Sequence, residues 1–187
     1  MLEPKRTDRR HAGAGPPEGP RIPLSTMRLR VVLLEIVPPV WRRLEVPAHW
    51  TLRQLHVALR RAMGWSDGGP HRFRVGTALY GNTSDNASEH DSRWITLADV
   101  AAQGTRSFRY EVVSDESWLH EIVIESMAPG SIKGARAVCL GGERAWPPES
   151  TDGPDAWLER ADFFVAEAPA GADFDLDAVN RALAQLG

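Results

Sequence analysis

Cysteine and lysine are almost missing from this 187-residue chain: Cys139 is its one thiol, and only Lys5 and Lys133 stand among 22 basic residues. One cysteine excludes an intrachain disulfide framework or a cysteine-based zinc ribbon, and it suits a reducing cytoplasm. Long apolar runs are missing too. The longest, Val31 to Leu34, is far short of the roughly 20 residues a membrane-spanning helix needs. No charged start leads into an apolar export signal, so no membrane partner is expected. Charge of one sign is not in excess. The 22 basic residues face 25 acidic ones, for a net charge of −3, which excludes bulk nucleic-acid binding through charge alone. Tyrosine and phenylalanine are scarce at two and five, whereas tryptophan reaches seven.

What is present is enough apolar material, 42% of residues, for the core of a single domain. Residues 1–26, rich in Gly and Pro and mildly basic, have no apolar periodicity and read as a disordered tail ahead of a domain over 27–187. From Met27 to Leu34 both alternating sets are largely apolar, which predicts a strand buried on both sides. Beyond Pro38-Pro39, Val40, Leu44 and Val46 share a face with Arg42, and Trp41, Arg43 and Glu45 share a wetter one, as in the second strand of a hairpin. Thr51 to Gln54 is a capping box. Leu52, Leu55, Leu59, Ala62 and Met63 follow at helical spacing until Gly64 stops the helix.

After the Gly68-Gly69-Pro70 turn, His71, Phe73, Val75 and Leu79 share one strand parity. Residues 81–93 read as an exposed polar loop, and 95–102 as a short helix led by Trp94. Two more strands follow, one through Phe108, Tyr110 and Val112 and one through Trp118, His120, Ile122 and Ile124. The stretch from Pro129 to Gly153 reads as a long ordered loop, followed by helices near 154–164 and 175–186, the latter capped by Asp175. The expected architecture is α+β: a mixed or antiparallel sheet of about five strands, one main helix packed across it, and C-terminal helices.

Several of these segments together resemble the plasmid pRiA4b ORF-3-like family, which includes insertion-element passenger proteins. Pro38 to Arg43 resembles its PPVWRR signature, and Thr51 through His56 to Gly64-Trp65 its capped helix ending in Gly-Trp. His71-Arg72-Phe73 matches the end of its HLHxF strand. Tyr110, Asp115, Trp118 and His120 resemble its YDFGDxWxH strand pair. Gly141-Gly142 with Ala145 and Pro147-Pro148-Glu149 resembles its GxxAxPPED loop, and Phe174 with Val179-Asn180 and Leu183 its closing helix. The resemblance spans residues 28–186. It implies a fold and a link to mobile elements, and no mechanism. Trp146 and Thr151 stand near places where the family carries cysteines, Ser150 replaces an acid, Gly69 replaces a histidine, and Val113-Ser114 replaces Phe-Gly.

Candidate chemistry rests on a few side chains. His56, His71 and His120 each fall toward the apolar side of their element, and imidazoles with a carboxylate such as Asp115 or Glu149 suit zinc. That set would serve a metal-dependent hydrolase, with Glu149, Asp115 and His120 as catalytic candidates. No HExxH spacing supports it, and three histidines satisfied by hydrogen bonds in a polar seam is the competing reading, so no cofactor is expected. Glu149, stiffened by two prolines, reads as a structural partner for a helix end or an arginine. Cys139 reads as buried and inert. Arg42, Arg43, Arg53, Arg60 and Arg61 beside Trp41 and Trp65 would suit a nucleic-acid-binding accessory if they formed one strip. The favoured reading is a non-enzymatic binding or interaction module for a protein or small-molecule partner, with Trp41, Arg42, Arg43, Trp65 and Trp118 as binding residues. The tryptophans read mainly as struts at motifs and element boundaries, with Trp41 alone on a wetter face.

Overall fold

The strand parities of the sequence carry directly into one sheet. In a computed structural model, which describes residues 25–82, 89–114, 117–129, 136–151, 153–164 and 174–186, the first strand, β1 (Ser25–Leu33), buries Met27, Leu29, Val31 and Leu33 on one side. Its other side is not buried as the run of apolar residues suggests. Arg28 is exposed, and Arg30 and Val32 are half-exposed, because that face packs against charged neighbours rather than a second layer. The expected tail falls outside the described residues except for Ser25 and Thr26, which already belong to β1.

Among the described residues eight strands form the sheet, in the order β5-β4-β3-β6-β7-β1-β2-β8. Five match the expected ones: β1, β2 (Trp41–Pro47), β3 (His71–Val75), β6 (Ser107–Val112) and β7 (Trp118–Pro129). The other three correct the count. The run from His71 to Leu79 is a hairpin and not one strand: Gly76, at φ +58°, turns β3 into β4 (Ala78–Gly81). The two-residue β5 (His90–Asp91) lies parallel to β4, where a loop was expected, and the other strand pairings are antiparallel. β8 (Val138–Glu143) runs through the supposed loop and forms one edge beside β2. Its two glycines hide it from any β-propensity reading.

Helix α1 (Leu52–Met63) covers the apolar face of the sheet. Its capping box is complete: Gln54 N donates to Thr51 Oγ1 at 3.2 Å, and Thr51 N donates to Gln54 Oε1 at 2.9 Å. Gly64, at φ +76°, ends it with its N–H directed to the Arg60 and Arg61 carbonyls. The short helix α2 (Leu97–Ala102) begins on a second such box, Thr96 with Asp99. The first turns of α1 and α2 are zipped together, with Leu52 N donating to Ile95 O and Leu97 N to Trp50 O. Trp94, expected to anchor this point, is 82% exposed. Helix α3 (Gly153–Phe164) and helix α4 (Leu176–Leu183) follow, α4 capped by Asp175 as expected. Among the described residues no helix is long and apolar enough to cross a membrane.

Helix α4 packs on the edge strand β8 in a specific way. Asn180 Oδ1 accepts from Cys139 N at 2.8 Å, while its Nδ2 donates to Cys139 O at 3.0 Å. One side-chain amide thus answers both backbone groups of a strand residue, as a neighbouring strand would. An Asn180→Ala change removes both bonds at a partly buried position and is expected to cost about 2 kcal/mol of unfolding free energy. The exposed Arg181→Ala, measured alongside by urea denaturation, should shift stability by less than about 0.5 kcal/mol.

Candidate functional site

His56 of α1, His71 of β3 and Tyr110 of β6 meet beneath the helix, and all three are buried. The His56 and His71 rings stack at 3.8 Å with only 15° between their planes. His56 Nδ1 lies 2.8 Å from the Tyr110 hydroxyl, and His71 Nε2 lies 3.0 Å from Ser92 Oγ. Burial chiefly, with the neighbouring His71, Arg53 and Arg60, drives the His56 pKa down to about 2. Burial and Arg53 take His71 down to about 4, outweighing contacts that raise it. Two stacked neutral rings are compatible at this distance, whereas two cations would repel strongly. Burial raises the Tyr110 hydroxyl well above its ordinary range.

His120 of β7 lies on the other flank of Tyr110. Its Nδ1–H donates to the Tyr110 carbonyl at 3.2 Å, so Nε2 keeps a lone pair. Burial lowers its pKa to about 3 against the hydrogen bonds that would raise it. The three histidines are therefore brought into one seam but not around one metal. Two are stacked face to face, the third is turned to a backbone carbonyl, and no group of three or more His, Cys, Asp or Glu among the described residues is placed to hold a metal ion. Asp115 lies outside the described residues.

The loop over residues 145–151 closes the seam. Trp65, just beyond α1, donates its indole N–H to the Pro147 carbonyl at 2.8 Å, and Trp118 donates to the Thr151 carbonyl at 3.4 Å. Glu149 accepts from Ser66 N and Ser66 Oγ, both at 2.9 Å, and pairs with Arg60. Arg60, 3% exposed, also donates to the Ser66 carbonyl and lies over the Trp65 ring. Desolvation opposes ionisation of Glu149, but the Ser66 donors and Arg60 outweigh it and hold the carboxyl below its usual range. A carboxylate so committed is a clasp between helix and loop and a poor proton acceptor, which agrees with its structural reading.

The five binding candidates divide between the two faces of the sheet. Trp41 and Arg43 lie on the open face. There Trp41 donates to Glu143 Oε2 at 3.0 Å between the guanidinium groups of Arg30 and Arg43, and Arg43 pairs two-fold with Glu125 at 2.7 and 2.8 Å. Trp65 and Trp118 are core residues, 5% and 3% exposed. Arg42 turns inward, as its strand parity foretells. Its Nη1 donates to the Trp41 and Glu143 carbonyls at 2.8 and 3.1 Å, and its guanidinium sits between Trp146 and Phe174. The arginines that a nucleic-acid-binding strip would require do not share one surface. Arg60 is spent on Glu149, Arg61 pairs with Asp67 and reaches Gln185, and Arg53 sits beside His71. Cys139 is buried, and burial raises its thiol pKa.

Among the described residues five buried polar atoms lack a hydrogen-bond partner: Arg42 Nε, His56 Nε2, His120 Nε2, Trp146 Nε1 and Thr151 Oγ1. Trp146 stacks on His120 with 19° between the rings, and Arg42 lies over Trp146, so three of the five share one stack. Thr151 joins through Trp118, which in turn packs on Trp65 and so on His120. Trp146 and Thr151 were not among the sequence candidates. Their signal lay in the departures from the family pattern, since both stand near positions that the resemblance fills with cysteine.

The family model for plasmid pRiA4b ORF-3-like protein matches residues 25–175. An uncharacterised protein, y4hQ of Sinorhizobium fredii, is 31% identical over 138 residues, covering 72% of this chain and 71% of the relative. A crystal structure of a Methanosarcina mazei protein of unknown function, MM3350, superposes with a TM-score of 0.68 at 22% identity, covering 75% of this chain and 82% of that one. The chain belongs to the plasmid pRiA4b ORF-3-like family.

Acid sensitivity follows from the seam. A histidine held neutral in the fold and free to protonate when unfolded contributes stability that is complete above pH 6.5 and is lost as the pH falls toward its folded pKa. His56, His71 and His120 should each cost about 1.4 kcal/mol per pH unit below that point. The urea midpoint is expected to fall steeply between pH 7 and 5. A flat profile would mean that these rings accept protons while folded. Separately, Glu149→Gln should lower unfolding free energy by about 2 kcal/mol, by leaving the buried Arg60 cation without its counter-ion.

Proposed function

We propose that this protein is a non-enzymatic binding module that holds a small polar molecule in the seam between β2, β7 and the 145–151 loop. The observation that carries this reading is the set of unpartnered buried polar atoms on Arg42, His120, Trp146 and Thr151. An unmet buried donor costs about 1–3 kcal/mol, so a fold that keeps several on one connected set of side chains has given up stability that a ligand would return.

The chemistry of the seam favours holding over reacting. Glu149 is engaged by Arg60 and Ser66. His120, with its pKa near 3, is a weak base at neutral pH but a good acceptor for a ligand hydroxyl or amide. Trp41 and Arg43 on the open face are held by Glu143 and Glu125, which supports a structural part for them. The plasmid in the family's name supports a mobile-element setting, and a single buried thiol supports a cytoplasmic one.

Thr151→Val deletes an unpartnered hydroxyl at nearly constant shape, and Trp146→Phe deletes an unpartnered N–H while keeping a smaller aromatic ring in the stack. Thr151→Val should match or exceed the parent in thermal stability, whereas Trp146→Phe should fall below it by the packing its smaller ring gives up against His120 and Arg42. Their melting temperature should respond less than the parent's to a panel of glycerol, glucose, acetamide, propionate and succinate. A parent protein that no panel member stabilises more than these variants would defeat the binding reading.

A further inference from the structure

Arg42 is a buried cation for which no carboxylate among the described residues serves as partner. The fold treats other arginines differently: Arg60 has Glu149, Arg43 has Glu125, and Arg72 has Glu89 and Glu111. A guanidinium taken out of water without a counter-ion is costly, and two carbonyls at Nη1 with two aromatic walls recover only part of that cost. Its Nε, which belongs to the side edge that pairs two-fold with carboxylates, is left without an acceptor.

The surroundings are shaped to keep it so. A Cβ on Gly142 would come within 2.7 Å of Arg42 Cδ and of the Trp41 carbonyl, and within 3.0 Å of Phe174 Cε2. Glycine at this position therefore leaves the space in which the arginine lies between its two rings. Trp146, lying against it, adds an indole N–H that also lacks an acceptor, and Thr151 on the same loop has an unpartnered hydroxyl. The site thus offers one positive charge and an excess of donors, with His120 Nε2 as the bare acceptor in the stack.

Building on the binding reading above, we infer that the ligand is a small organic monocarboxylate or hydroxy acid, its carboxylate paired with the Nε edge of Arg42 and with the Trp146 indole donor. A single negative charge matches the single cation and leaves a neutral pair, whereas a phosphate dianion would bring an unmatched charge into the same buried space. A hydroxyl on the acid would meet its acceptor at His120 Nε2.

Both key donors are directly visible as the Arg42 Nε–H and Trp146 Nε1–H signals in ¹⁵N–¹H correlation spectra of the full chain. Titration with acetate, propionate and lactate at constant ionic strength should move both signals saturably, while propionamide and chloride should not. Arg42→Lys keeps the charge but loses the edge, and should weaken propionate at least tenfold. If that variant does not fold, Trp146→Phe keeps the arginine and should weaken the acids several-fold, read at the Arg42 signal. Signals unmoved by any acid at tens of millimolar, or moved equally by propionamide, would overturn the carboxylate assignment. Propionamide or glycerol binding with the acids silent would overturn it while sparing the binding-module reading, and silence toward every probe would sink both.

Discussion

Arg60 and Glu149 meet across 89 residues of sequence, and the position of nearly everything functional follows from that pairing. The arginine lies on the buried side of α1 and cannot stay there charged without a counter-ion. Drawing Glu149 to it fixes the 145–151 loop against the end of the helix, with the Trp65–Pro147 bond as a second tie. Once the loop is pinned, Trp146 lies on His120, Trp118 reaches Thr151, and Arg42 has its inner aromatic wall. Helix, sheet and loop are thereby held in one arrangement by a small polar contact at the rim of a large apolar core.

The sheet separates two kinds of electrostatics. On the open face charges are numerous and mutually satisfied: Arg43 with Glu125, Arg28 with Glu45, Arg72 with Glu89 and Glu111. Water screens the exposed Arg28–Glu45 pair, which is worth little, whereas Glu89 is nearly buried against Arg72. On the core face ionisable groups are few and buried: the histidines are held neutral, Arg60 is clasped by Glu149, and Arg42 has carbonyls and aromatic rings in place of a carboxylate. There the same Coulomb law acts with little screening, so two imidazoles stack because neither takes up the second proton that would make it a cation. Strand parity alone assigns Arg42 and Arg43, neighbours in sequence, to these opposite regimes.

That parity was the most legible feature of the sequence. The period-two patterns place Val31, Leu44, Phe73, Tyr110 and Ile122 correctly on one buried face, and the Thr51 box and Gly64 mark both ends of α1. What was not legible depended on partners remote in sequence. β8 carries Gly141 and Gly142, which no strand propensity favours, and it exists because β2 on one side and Asn180 on the other satisfy its backbone. The stacking of His56 on His71 was equally hidden, because parity tells which side a ring faces and nothing of what it touches. The burial of Arg60 was hidden too, because its counter-ion Glu149 comes from 89 residues away.

The order in which the chain is made gives the Asn180 contact a further meaning. Cys139 is synthesised 41 residues before the asparagine that closes its edge. At 5–20 residues per second, that interval is about 2–8 seconds on the ribosome. Until α4 docks, the β8 border of the sheet has unanswered backbone groups, open to a neighbouring chain. Val138 and Leu140, both more than two-fifths exposed on that border, are the side chains such a neighbour would meet. The Asn180 amide thus guards the sheet against edge-to-edge association as well as adding to the stability of the finished fold.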